Sequence, residues 1–265
     1  MSEAGSAATA QERAVTVDRW GHVLLMGLNR HAFNLAMIDQ LAAAYYELEA
    51  DDELRCGVLF AHGEHFTGDL DLAEVGPAIQ EGRLELGPER RDPWRRDGWW
   101  TTPVVAAVHG SWLTLTIELL LAADIRIAAD NARFAQLEIK RGLYAFGGAT
   151  VRLPQEAGWG NAMRWLLTGD EYDAAEALRI GLVQEVVETG RELPRAIELA
   201  EAIAERSAPL GVRTTLESAH RARREGEQAA FARLRPDMVA LFGSEDGREG
   251  VMSFVEGREA NFVGR

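Results

Sequence analysis

Thr102-Pro103-Val104-Val105-Ala106-Ala107-Val108-His109-Gly110 is followed by Leu115-Thr116-Ile117-Glu118-Leu119-Leu120-Leu121-Ala122-Ala123-Asp124 and then by Ile125-Arg126-Ile127-Ala128. The first run is continuously apolar after its proline and stops at a glycine, which reads as a buried strand. Residues 124–128 read as another. Strands with no polar alternation, separated by helices, imply an α/β fold built on a mostly parallel sheet covered on both faces.

Working outward, residues 14–18 and 22–28 predict two strands joined by a short turn at Gly21. Leu35, Ile38, Leu41, Ala42, Tyr45 and Leu48 recur at helical spacing over 35–49, and 56–61 is a short buried strand. Residues 133–135 are a short extended piece. Beyond Gly147 the pattern turns helical over 148–157, 160–167, 174–178, 191–206, 208–225, 227–241 and 245–258, with one strand signal at 184–187. That half predicts a helical subdomain suited to subunit contacts. Residues 76–98 are rich in glycine, proline and charge without a sustained period, the mark of a mobile excursion over a site. The resulting division is a disordered tail over 1–12, a core over 13–200 and a helical oligomerisation region over 201–265.

A chain of 265 residues has room for one large domain or for a core with an appendage. The net charge of −14 argues against general binding to nucleic acid or to an anionic membrane. The apolar run at 104–108 is far too short to span a bilayer, and residues 1–11 carry no apolar signal region, so a cytoplasmic location is expected. Cys56 is the only cysteine, which excludes a disulfide framework and a cysteine-rich metal site. An anionic substrate would need a local positive field. Lys140 is the only lysine, and the densest basic cluster is Arg90, Arg91, Arg95 and Arg96: either a solvated loop face or an anion site.

Glu118 and Glu138 stand in the most apolar part of the chain, the second within Phe134-Ala135-Gln136-Leu137-Glu138-Ile139. An ionised carboxylate is costly to bury without partners. Held among Leu, Ile and Phe, it shifts its pKa or does chemistry. Two in nearby elements suit a general acid and a general base acting on one substrate.

The stretches already quoted resemble the crotonase, or enoyl-CoA hydratase/isomerase, superfamily. So do Ala132-Arg133-Phe134-Ala135-Gln136 with Glu138, Leu166-Leu167-Thr168-Gly169 through Asp173-Ala174-Ala175-Glu176-Ala177 to Gly181-Leu182-Val183, and the ending Ser244-Glu245-Asp246-Gly247-Arg248-Glu249-Gly250 with Phe262-Val263-Gly264-Arg265. The resemblance implies a ββα spiral core with a C-terminal helical trimerisation region, assembled as a homo-trimer or homo-hexamer. It implies an acyl-CoA thioester substrate, coenzyme A being part of that substrate, with no metal and no other cofactor. Two backbone N–H groups, assigned by resemblance to Leu70 and Leu115, would hold the thioester carbonyl as an enolate; such donors lower a barrier by roughly 3–4 kcal/mol each. Glu118 and Glu138 match the acid/base pair of the hydratases. Family members with one glutamate usually catalyse isomerisation or other enolate chemistry, so the pair favours hydration. Isomerisation of a bulky acyl-CoA and non-catalytic acyl-CoA binding are the alternatives.

The chain departs from the family at several points. Thr114-Leu115-Thr116 replaces a glycine run before Glu118, and Asp69 replaces a glycine before Leu70. Phe146, with Tyr144 and Ala145, stands where hydratases have a glycine, and these side chains either pack or select the acyl group. The loop Asn29-Arg30-His31-Ala32-Phe33 is short, and Glu259 falls where a basic residue often reaches a CoA phosphate. Arg30, Arg258 or the 90–96 arginines would have to substitute. His109 reads as a hydrogen-bonding structural residue or a base, and His65 as a surface residue. Trp94, Trp99 and Trp100 either cap the core or line an acyl pocket.

Overall fold

The computed structural model describes residues 13–29, 32–63, 69–82, 85–96, 98 and 100–265. Its main sheet has six strands in the order β1 (Val15–Trp20), β2 (Val23–Leu28), β4 (Cys56–Ala61), β6 (Val104–Val108), β8 (Ile125–Ala129) and β11 (Glu185–Val187). Only β1 and β2 pair antiparallel. Val23 stands opposite Cys56, Gly57 opposite Val104, Val105 opposite Ile125 and Ile127 opposite Glu185, all in parallel register. Small sheets form from β3 (Ala32–Phe33) with β5 (Asp69–Leu70), and from β7 (Ser111–Leu113), β9 (Arg133–Ala135) and β10 (Tyr172–Asp173).

The pleat sorts the strands' apolar residues to two faces. Val58, Phe60, Val105, Ala107 and Ile127 meet α7 (Glu192–Arg206). Ala196, Ala200 and Ala204 recur at four-residue spacing and let that helix lie close to the sheet. Leu59, Val104, Ala106 and Val108 face the larger core, which includes α1 (Leu35–Ala50) and α3 (Leu115–Leu120). Asn34 starts α1 by accepting the Met37 N–H at 2.9 Å. The helix α7 runs across residue 200.

The stretch expected to be a mobile excursion is corrected in two respects. Its first residues continue α2 (Leu72–Gln80), which is capped by Asp71, and towards its far end Asp92 and Trp94 are buried, as is Trp100 just beyond it. The later helices are α4 (Ala149–Ala157), α5 (Trp159–Thr168), α6 (Ala174–Arg179), α8 (Pro209–Glu225), α9 (Glu227–Gly243) and α10 (Glu245–Glu256). On α9, Phe231, Leu234, Met238 and Phe242 form an exposed apolar stripe, continued on α10 by Phe254 and Val255.

Candidate active site

Helix α3 carries Glu118 into the core. Its N-cap Thr114 takes φ 52° and ψ −119°. A β-branched residue rarely adopts positive φ, and such strain costs about 1–3 kcal/mol. This is where the sequence replaces an expected glycine, so the backbone keeps a glycine-like conformation that the side chain opposes. Neighbours hold it in place. Thr114 N–H donates to Ala135 O at 2.9 Å, and Ile117 N–H donates to Thr114 O at 3.0 Å. The Trp94 indole donates to Leu115 O at 3.1 Å. The Leu115 N–H, in the first helical position, has no acceptor among the described residues.

Glu118 is fully buried. Neutral donors hold its carboxylate: Gly147 N–H to Oε2 and Ala149 N–H to Oε1, both at 2.9 Å. These amides open α4, so the carboxylate sits at a helix N-terminus, where the helix dipole favours negative charge. Gly147 has no room for a side chain, since a Cβ would lie 2.7 Å from Glu118 Oε2 and 2.8 Å from Leu115 Cδ1. Burial pushes the Glu118 pKa above its ordinary value, and the amides of Ala149, Gly147 and Gly148 with the Arg96 charge pull it part of the way back.

Glu138 lies in the first turn of a short 3-10 helix, Leu137–Arg141, and is also buried. The Gln136 side-chain amide, oriented so that its NH2 donates, reaches Thr114 O at 3.0 Å and Glu138 Oε2 at 3.1 Å. One amide thus ties the strained cap of α3 to the second carboxylate. Leu70 lies in β5, which packs beside α3. Asp69 pairs through its main chain with Ala32.

A cavity of about 640 Å³ reaches Phe146 and Gly148, on the turn that holds Glu118. Tyr144, Ala145, Phe146, Gly148 and Leu121 are apolar or aromatic lining residues, and arginines from β8, α4, α8 and the 85–96 segment line it together with Asp124, Glu156 and His220. Glu118 and Glu138 are not among its lining residues. Trp94 and Trp100 do not line it either. Trp94 packs edge-on against Phe33, and Trp100 against Tyr45. His109 approaches Gly63 O at 2.8 Å and Glu192 at 3.4 Å. Arg30, His65, Phe66, Thr67, Gly68 and Trp99 lie outside the described residues.

The run of arginines does not act as one cluster. Arg90 pairs with Asp39, Arg95 with Asp124 and Arg96 with Asp92. Arg258 is bound to Glu249 and Glu256. Sequence reading passed over Trp94 as an anchor of α3, and over Arg152 and Arg223 as cavity residues. Arg152 carried one usable signal: a cation among apolar neighbours one turn after a glycine pair. Arg223 looked like ordinary charge at a helix end.

The model of the enoyl-CoA hydratase/isomerase family matches residues 19–265. The chain belongs to that family. A solved structure described as a probable enoyl-CoA hydratase/isomerase from Mycobacterium abscessus is 50% identical, covers 95% of this chain and 99% of its own, and superposes with a TM-score of 0.92. Enoyl-CoA hydratase from Mycobacterium tuberculosis H37Rv is 34% identical, covers 96% of this chain and 100% of its own, and gives a TM-score of 0.86. The curated relative enoyl-CoA hydratase EchA19 of the same species is 34% identical over 94% of this chain and 96% of its own. The crotonase-type fold implied by the resemblance is therefore the fold observed. In this enoyl-CoA hydratase/isomerase family member two of the departures, Leu115 and Phe146, stand beside the turn that receives Glu118.

Proposed function

We propose that the chain is an enoyl-CoA hydratase, adding water reversibly across the double bond of a 2-trans-enoyl-CoA to give a 3-hydroxyacyl-CoA. The observation that carries this reading is Glu118: a fully buried carboxylate held by neutral N–H donors rather than by a cation, with Glu138 tied to the same helix cap. A carboxyl compensated in this way keeps the freedom to exchange a proton.

The thioester carbonyl docks against the N–H groups of Leu70 and Leu115. Water adds to Cβ, and the double-bond electrons move onto the carbonyl oxygen as an enolate that those N–H groups stabilise. One carboxylate takes the proton from the attacking water. The other delivers a proton to Cα, and the carbonyl re-forms. The N–H groups do the polarising, so the route needs no metal and no cofactor beyond the CoA of the substrate. Asp69, Thr114, Tyr144 and Phe146 border the path of the substrate, and Arg30 would approach its CoA portion. The apolar stripe on α9 and α10 supports a homo-trimer or homo-hexamer, as a lone protomer would leave it in water. A cytoplasmic site of action belongs to the same proposal; Cys56 is buried, and no helix among the described residues is long and apolar enough to cross a membrane.

The test is loss of enoyl absorbance with 2-enoyl-CoA esters of short, long and aromatic acyl groups. Turnover by the parent, cut about a hundredfold or more in Glu118→Gln and in Glu138→Gln, is the expected result. Activity on a 3-enoyl-CoA but on no 2-enoyl-CoA would replace hydration by isomerisation. Thioester binding without turnover, indifferent to both substitutions, would make the chain a binding protein.

A further inference from the structure

The cavity at the Glu118 turn carries a charge balance opposite to that of the whole molecule. Arg95, Arg96, Arg126, Arg152, Arg223 and Arg224 line it, and the carboxylates among its lining residues are Asp124 and Glu156. Asp124 is occupied by Arg95, with both N···O distances at 2.9 Å. Glu156 is shared by Arg126 at 3.3 Å and Arg223 at 3.1 Å. Arg152 has no carboxylate partner among the described residues; its guanidinium donates to Gly147 O at 3.4 Å and Arg95 O at 3.0 Å. Arg96 is bound to Asp92 at 2.8 Å. Burial and the Arg95 charge hold both His220 and Arg152 below their ordinary pKa values. A half-enclosed group of cations with too few anions is a site for one.

The layout of α3 indicates which part of a substrate arrives there. The carbonyl belongs at the Leu115 N–H, and the reacting carbons belong at Glu118. A chain running from the first through the second continues to Leu121, about 9 Å from Leu115 at the helical rise. Leu121 and Phe146 belong to the cavity wall. The acyl group therefore points into the cavity, and the sulfur and CoA leave in the other direction. The wall offers apolar contact first, at Leu121, Ala145 and Phe146, and then guanidinium groups.

We infer that this cavity takes an acyl chain ending in a second carboxylate, an ω-carboxyacyl-CoA, whose far end is received by Arg152 with Arg223 beside it. The inference rests on the acyl-CoA part of the reading above and not on the hydration step.

Calorimetric titration of the full chain with adipyl-CoA and hexanoyl-CoA tests it. The two esters have equal acyl length and identical CoA, and neither can be hydrated. Adipyl-CoA should bind ~10–100-fold more tightly, as charge-assisted hydrogen bonds require. That ratio should fall toward one in Arg152→Met and in Arg223→Met, and Arg152→Lys should keep part of it. Arg223 lies at the end of α8, so its substitution tests the site even if loss of Arg152 disturbs the Gly147 turn. Equal affinity for the two esters in the parent would overturn the inference, as would a preference that survives both substitutions. If the arginines instead serve CoA phosphates, the parent ratio is one and the variants weaken both esters together, which also overturns it. A preference for adipyl-CoA in a chain that hydrates no 2-enoyl-CoA would leave this inference standing and remove the hydratase reading alone.

Discussion

Glu118 and Asp124 sit at the two ends of one short apolar stretch, and the fold treats their carboxylates in opposite ways. Asp124 receives both arms of Arg95 at 2.9 Å and the Val104 N–H at 2.8 Å. Glu118 receives two backbone amides and no salt bridge among the described residues. A full countercharge in bidentate contact makes a carboxylate a structural joint. Neutral donors keep it in place while leaving its proton exchangeable. Burial alone does not separate a reactive carboxyl from a structural one; the charge of its partner does.

The largest expected effect falls on turnover at the first of these residues. Glu118→Gln should lower hydration about 10²–10⁴-fold, read as kcat on a 2-enoyl-CoA, and a residual rate close to that of the parent would end the contrast. Asp124→Asn should instead strike stability, by about 3 kcal/mol in urea unfolding, because Arg95 is left buried without its partner. A smaller loss than that caused by Glu118→Gln would reverse the comparison. Next come two threonines. Thr116 lies in regular helix, is fully buried and donates to Leu113 O at 2.6 Å, so Thr116→Gly should cost about 2 kcal/mol. At Thr114, relief of the positive φ offsets the lost side chain, and Thr114→Gly should change stability by less than about 1 kcal/mol. Equal losses at both positions would mean that Thr114 is not strained.

The smallest effect is a slope. The folded chain holds the Glu118 proton more tightly than the unfolded chain, whose value is the ordinary 4.5. The contribution of this group to stability is therefore greatest below that pH and declines as pH rises from there through its raised folded value. Subtracting the unfolding free energies of Glu118→Gln from those of the parent between pH 4 and pH 8 should show that decline. A difference that grows with pH would contradict it.

Much of the fold was legible because its signals are local. Continuous apolar runs gave β4, β6 and β8, and the 3.6-residue spacing of Leu41, Tyr45 and Leu48 gave α1. Glu118 and Glu138 were conspicuous as charges in apolar surroundings, and both are buried. What stayed hidden depends on contacts between distant segments. Nothing near Arg95 announces Asp124 as its partner, and nothing near Arg223 places it beside Glu156. Of the arginines crowded into 90–96, Arg90, Arg95 and Arg96 go to three different partners. The segment around Trp94 has no period because it follows the surface of the core rather than forming a regular element, yet its indole fixes the start of α3. The replacement of glycine at 114 was visible in the sequence, but its φ was not.

Arg152 donates to two main-chain carbonyls, one of them on the residue whose N–H holds Glu118. A change there disturbs the turn beneath the reacting carboxyl as well as the cavity. Arg223 lies on a separate helix, and its side chain bonds to Gln155 and Glu156 rather than to that turn. Lineages descending from this chain can therefore alter their choice of acyl group through α8 while keeping their chemistry, whereas position 152 is confined by two duties and should drift more slowly.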